Sequence, residues 1–395
     1  MTEAMDWASL LLRWAHVMAG IAWIGTSFFF IWLDASLRRR DGTGADMAGE
    51  SWMVHGGGFY RVEKFLVAPK AMPDELHWFK WEAYFTWITG FLLLVVIYYW
   101  SAEAFLIDSA KADLSVAGAI GISVGSLIVA WLAYDFLCKS SIGDNTVLLA
   151  LALFALIALA AFGYGMVFPG RAAFLHVGVF IGTIMAANVG HVIIPNQRIV
   201  VADLLAGRTP DAKYGQIAKQ RSLHNNYLTL PVIFMMISSH YPMTYGHPQS
   251  WVIALGVVLA GGLARHFFNV HNSGKLDWTA KAALPAAALV GLATIGFANW
   301  RPDIRVGEPV AFTEIQPIIA KNCSMCHAAV PIHEAFEAPP KGIVFDTPED
   351  IRKYAAQIRA QTVLTDAMPL GNETEMTAEE RQTLGDWIAG GAPLE

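Results

Sequence analysis

Charge is scarce in this chain: 15% of its 395 residues are Asp, Glu, Lys or Arg, while 55% are hydrophobic. That is too apolar for an ordinary soluble enzyme. Cysteine is scarcer still, and three in the whole chain exclude a disulfide framework. No long basic patch marks a nucleic-acid surface, so no nucleic-acid partner is expected. The glycines of Trp52-Met53-Val54-His55-Gly56-Gly57-Gly58-Phe59-Tyr60 belong to no Gly-x-Gly-x-x-Gly or Walker pattern, which argues against a nucleotide site. They read either as a turn at a membrane surface or as a substrate loop.

The charge that is present divides unevenly. Residues 300–395 hold 8 Lys+Arg against 15 Asp+Glu, leaving 19 against 18 for the first 299. A membrane domain over 1–300 and a small acidic domain over 301–395 are expected, joined by a linker starting at Arg301-Pro302-Asp303. Apolar runs long enough to cross a hydrocarbon core of about 30 Å recur eight times, near 8–34, 79–100, 115–137, 146–167, 173–194, 224–240, 250–268 and 281–299. The first is too long for a cleaved signal peptide, lacks a basic leader and ends in Asp34 and Arg38-Arg39-Arg40. Alternate connections collect the cations: Arg38 to Arg40, Arg61, Lys64, Lys70, Lys139, Arg198, Arg208, Lys213, Lys219, Arg221 and Lys275, against Lys111 and Arg171 on the other side. The positive-inside rule makes the first side cytoplasmic and places both termini outside.

Lys321-Asn322-Cys323-Ser324-Met325-Cys326-His327 carries the strongest chemical signal. In a Cys-x-x-Cys-His, Cys323 and Cys326 form thioethers to the vinyl groups of a haem c, and His327 becomes the proximal iron ligand. Met368, in Ala367-Met368-Pro369-Leu370, is the candidate second ligand, a soft thioether that raises the potential. A zinc knuckle would need four ligands, and the remaining Cys138 lies far off in an apolar run. Phe312 to Ala320 reads as a helix, Thr347-Pro348 caps a second running to about Gln361, and Thr377-Ala378-Glu379-Glu380 is a capping box for a third. That order is the order of a small class I cytochrome c. The fold expected is all-α, an eight-helix transmembrane bundle followed by this domain. Haem c is attached outside the cytoplasm in bacteria, which agrees with the charge topology.

Ionisable groups at membrane depth are functional candidates. His16, His176 and His240 fall toward the outer face; His191, His224 and His266 fall toward the inner one. His176 and His191 are 15 residues apart, about 22 Å along a helix and about 60° around it, so they share a face. Paired haems across a bilayer use such spacing, and His16, His176, His191 and His240 are candidate haem b ligands; the same histidines also serve as hydrogen-bonding links between helices or as substrate contacts. At the inner face, His191 with Asn196-Gln197-Arg198, and Arg221 with His224-Asn225-Asn226-Tyr227, gather groups suited to a small flat anion: Arg for charge, amides for ring edges, His for proton transfer. Helix capping and positive-inside charge account for Arg198 and Arg221 equally well.

Arg13-Trp14-Ala15-His16, Trp23-Ile24-Gly25-Thr26-Ser27, Asn196-Gln197-Arg198, His224-Asn225-Asn226-Tyr227-Leu228-Thr229-Leu230-Pro231 and the C-terminal Cys-x-x-Cys-His together resemble the bacterial membrane-bound urate oxidase family, over essentially the whole chain. The resemblance implies a multi-span membrane domain fused to a cytochrome c, in the bacterial cell membrane. It further implies oxidation of urate toward 5-hydroxyisourate, with electrons leaving through haem c to an external acceptor such as a soluble cytochrome or terminal oxidase. Substrate residues come from the chemistry instead: Asn196, Gln197, Arg198, Asn225 and Asn226 to hold urate, His191 or His224 to take its proton. Two other readings of the same residues are a quinol-oxidising, cytochrome b-like protein and an anion transporter with an appended cytochrome sensor.

Overall fold

The computed structural model describes residues 3–66, 69, 72–109, 111–274, 277–300, 310–365 and 367–394. Lys70, Lys275 and the expected linker at Arg301-Pro302-Asp303 lie outside the described residues. The chain is mainly helical. It begins with α1 (Glu3–Ser36), followed by β1 (Met47–His55) and β2 (Gly58–Phe65). Then come α2 (Trp81–Leu94), continued by a π-helical turn over Val95–Tyr99, α3 (Ala102–Phe105), α4 (Val116–Lys139) and α5 (Thr146–Val167). α6 (Gly170–Ala187) passes through a π-helical segment, Asn188–Ile193, directly into α7 (Ile194–Leu205). α8 (Ala212–Ser238), α9 (Pro242–Tyr245), α10 (Ser250–Asn272) and α11 (Trp278–Asn299) complete the first domain.

Local chemistry starts these helices where they start. The side chains of Ser115, Asn145, Asp211 and Asp277 each accept a backbone N–H in the first turn of α4, α5, α8 and α11, satisfying donors that a helix leaves open. The same contact to Ala280 N–H holds the Asp277 carboxyl below its ordinary range.

The expected all-α character holds, with one small hairpin beside the helices. β1 and β2 form an antiparallel hairpin, with Val54 opposite Phe59 and Trp52 opposite Arg61. Its two-residue turn is Gly56–Gly57, with φ of +57° and +80°, the left-handed pair that a tight hairpin requires and that glycine supplies without strain. The hairpin leans on the end of α1 through Ser36–Ser51 hydroxyls at 2.8 Å and a Lys64–Asp34 ion pair at 2.6 Å.

Among the described residues, seven helical stretches are long and apolar enough to cross a membrane. One differs in extent from expectation: the fifth runs unbroken over Gly170–Leu205, so most of the expected loop over 195–222 is helix. Pro195 follows the π-helical segment directly, so its missing N–H is taken up within the continuous helix and does not end it. The expected run over 224–240 lies in α8, which is not among the seven. Its polar side chains Arg221, Asn225, Asn226 and Thr229 are buried against α6 and α10, so they face protein rather than lipid and lower its mean hydropathy. α6 is the central helix, with 61% of its apolar window buried against 22% or less for the other spans. Gly178 lets α8 come close; a Cβ there would meet Met235 Cβ at 2.7 Å.

The remainder builds a separate core. α12 (Phe312–Asn322), α13 (Ser324–His327), α14 (Pro348–Lys353), α15 (Ala355–Ile358) and α16 (Ala378–Ala389) bury Phe312, Ile315, Ile319, Leu384 and Trp387 together. Thr347 caps α14, and Thr377 with Glu380 forms the capping box of α16, as the local sequence indicates. This domain seats on one end of the helical bundle. A Cβ on Gly246, just past α9, would come within 2.6 Å of Thr365 Cγ2. Gly371 (φ +60°) sits where a Cβ would meet the carbonyls of Ile107, Ala104 and Glu103 at 2.9–3.3 Å, and Ala367 packs on the core of the bundle. The segment carrying Met368 therefore faces the bundle, at the end opposite the hairpin.

Candidate functional site

In the C-terminal domain, a single turn brings the paired thiols round. Cys326 N–H and His327 N–H both donate to the Cys323 carbonyl, at 3.2 and 2.9 Å. His327 Nδ1–H donates to the Ile343 carbonyl at 2.9 Å, and Phe345 N–H returns to the His327 carbonyl at 2.7 Å. A carbonyl only accepts, so the proton is fixed on Nδ1 and the Nε2 lone pair is left for a metal. All three cysteines are free thiols. Burial pushes the Cys323 thiol up to about 12 and the Cys326 thiol up to about 11, so neither is a resting thiolate. Met368 N–H donates to the Gln361 carbonyl at 2.9 Å. Arg381 Nη1 donates to the carbonyls of Met368 and Thr362, both at 2.7 Å, fixing the methionine segment against α16. Two thiols one turn apart, an imidazole with its tautomer set and a tethered methionine fit a covalent haem. Among the described residues, no three His, Cys, Asp or Glu side chains gather as ligands for a bare metal ion.

Within the bundle, polar side chains form two knots. The first joins α4, the π segment and α8. Asn188 Nδ2 donates to Tyr134 Oη at 3.1 Å and to Asn225 Oδ1 at 2.9 Å. Tyr134 Oη lies 2.7 Å from His224 Nδ1. The Tyr134 hydroxyl thus links Asn188 to His224 and can either donate to or accept from the imidazole. Arg221, 1% exposed, pairs with Asp135 at 2.9 Å and stacks 4.9 Å from the Tyr134 ring.

The second knot joins α1, α8 and α10. Arg265 Nη2 and Nε donate to Asn226 Oδ1 at 3.0 and 3.3 Å, and Asn269 Nδ2 donates to the same oxygen at 3.0 Å. The Arg265 guanidinium lies 4.0 Å from the centre of the Phe28 ring. Tyr227 Oη and His266 Nδ1 meet beside it at 2.9 Å.

The expected site residues are thus only partly brought together. Asn225 and Asn226, adjacent in sequence, enter different knots. Asn196, Gln197 and Arg198 lie on the first turn and a half of α7, with Gln197 and Arg198 exposed, and no hydrogen bond or ion pair joins them to either knot among the described residues. His191 is exposed, its ring 5.7 Å from Trp131 of α4. His176 is fully buried and faces α4 as well, through Ser123, so the expected shared face is there.

The candidate haem b ligands differ in their free valences. His176 Nδ1 donates to the Ala172 carbonyl and Nε2 meets Ser123 Oγ, both at 2.7 Å, so both of its ring nitrogens are engaged. His16 Nδ1 donates to the Thr86 carbonyl at 2.9 Å, which leaves Nε2 open, and His240 is exposed at the far end of α8.

Tyr134, Asp135, Asn188, Arg265 and Asn269 were not among the expected site residues. Asp135 and Arg265 carried a usable signal, a charge inside or at the end of an apolar run. Tyr134 and Asn188 carried none.

A family model described as urate oxidase N-terminal matches residues 2–296, the helical bundle without the C-terminal domain. No curated protein and no solved structure matches the chain.

Proposed function

The chain belongs to the urate oxidase N-terminal family, and from that premise we propose that it is a membrane-bound oxidoreductase that oxidises urate toward 5-hydroxyisourate and passes the electrons to a haem c. The observation that carries the reading is the joining of that family's domain to a haem-competent Cys323, Cys326, His327 and Met368 set, whose methionine segment is seated on the bundle. The balance is urate plus water giving 5-hydroxyisourate, two protons and two electrons. When bound, the haem supplies a one-electron acceptor, so each turnover needs two transfers.

The chain's own groups do the rest. Cys323 and Cys326 would hold a haem covalently, and His327 Nε2 and Met368 Sδ would ligate its iron. Arg381 keeps the methionine from drifting. Of the two candidate bases, His191 is exposed and has no hydrogen-bond partner among the described residues, whereas His224 shares a hydrogen bond with Tyr134. The hairpin end, with Arg38 to Arg40, faces the cytoplasm, and the C-terminal domain lies outside the bacterial inner membrane. Its acidic surface suits a basic electron acceptor.

The test is a visible spectrum of the purified protein, recorded anaerobically before urate, after urate and after dithionite. Urate alone reduces the c-type band, and a C323S/C326S variant shows no covalently retained haem after denaturation. A fully assembled haem that only dithionite reduces would sink the enzyme reading.

A further inference from the structure

Two arginines are buried among the described residues, Arg221 and Arg265. They are not in the same electrostatic condition. Arg221 has the Asp135 carboxylate at 2.9 Å. Arg265, 7% exposed, has no carboxylate within ion-pair distance among the described residues. In place of one it has two amide oxygens: Arg265 Nη2 donates to Asn269 Oδ1 at 2.9 Å, and Arg265 Nε, Arg265 Nη2 and Asn269 Nδ2 all converge on Asn226 Oδ1. Three donors on one neutral oxygen is crowded, since a carbonyl offers two lone pairs. The other end of the same side chain has the opposite problem: Asn226, fully buried, has no partner for its Nδ2. A buried cation without an anion and a buried N–H group without an acceptor are both costly. The knot is therefore short of one negative charge and at least one acceptor.

We propose that Arg265, Asn226 and Asn269 bind the urate anion, rather than the α7 group around Arg198. The proposal rests on the urate-oxidising reading above and deepens it by placing the substrate. A flat monoanion with carbonyl and ring-nitrogen acceptors along its edges supplies both missing elements at once, and the guanidinium fork is already fixed in plane by Phe28. Tyr227 and His266, hydrogen-bonded at 2.9 Å, lie at the half-buried rim. Two cavities elsewhere suit an anion badly. One of about 300 Å³ is lined by Glu103 and Glu373, and one of about 640 Å³ by Asp74 and Glu75.

The test measures equilibrium binding of urate to the intact haem-loaded protein, anaerobic and pre-reduced so that no turnover occurs, beside urate-driven haem reduction in the oxidised protein. Arg265→Gln weakens urate binding about 10- to 100-fold, the loss of a charged hydrogen bond, while Arg198→Gln leaves it within about twofold. Asn226→Asp is the variant that separates binding from folding. Its carboxylate pairs with Arg265 internally, so the melting temperature holds or rises while urate binding is lost. Unchanged affinity in Arg265→Gln and Asn226→Asp, with urate still reducing the wild-type haem, overturns the site and leaves the enzyme reading standing. A wild type that neither binds urate nor is reduced by it overturns both.

Discussion

Replacing Gly246 by alanine tests whether the two domains are docked as described. Gly246 has φ −83° and ψ 4°, a conformation alanine adopts without strain, so any effect comes from the added methyl group. That methyl would collide with Thr365 Cβ and stand 2.6 Å from Thr365 Cγ2 and 2.9 Å from Thr365 Cα. Carbon atoms settle at about 3.5–4.0 Å, so the C-terminal domain must retreat by about 1.5–2 Å against atoms that cannot rotate away. Overpacking of this kind costs about 1–3 kcal/mol, which in a docking equilibrium is about 5- to 150-fold. Hydrogen exchange reads it directly: backbone amides over 102–107 and 370–372 should exchange faster by that factor, while those of α12 and α16 keep wild-type protection. Thr365→Gly removes the opposing Cβ, at the cost of a hydroxyl that donates to the Ala360 and Gln361 carbonyls at 2.9 and 3.1 Å. The double variant should recover protection that neither single change predicts, a coupling of about 0.5–3 kcal/mol. Wild-type exchange in Gly246→Ala, or strict additivity in the double variant, would refute the docking.

Two further outcomes follow from charge and capping. Asp135→Asn strands Arg221, whose side chain is 2% exposed, and should cost about 3–5 kcal/mol in thermal unfolding of the bundle; Lys139→Ala, removing the 70%-exposed partner of the same carboxylate, should stay within about 1 kcal/mol. Thr377→Ala opens the capping box of α16 and should cost about 1 kcal/mol, lowering the melting of the C-terminal domain, followed at its haem band, by about 4–8 °C.

What the sequence disclosed follows the range of the interaction involved. The starts of α14 and α16 were legible because Thr347 and Thr377 act on backbone groups three residues away. The Cys-x-x-Cys-His is equally local. The Asp135–Arg221 pair was not legible, because its members are 86 residues apart and each alone reads as an interfacial charge. α8 is legible as a run from about His224 onward, yet its inward amides, not its apolar residues, decide its place in the bundle. The continuation of the fifth span past Pro195 was missed because falling hydropathy was taken as the end of a helix, when it marked only the end of the apolar surface. The hairpin was half visible, its glycines read as a turn without the strands that flank it.

That continuation bears on how the molecule moves. Gly170–Leu205 is one rod of 36 residues, about 54 Å long, where the hydrocarbon core is about 30 Å. It has no loop to bend at, and its one irregularity, the π segment over Asn188–Ile193, is stapled by Asn188 to both α4 and α8. A torque applied to the protruding α7 is therefore delivered to Tyr134 and Asn225 instead of being dissipated in a joint. The exposed stalk of α7 and the polar centre of the bundle thus belong to one continuous helix.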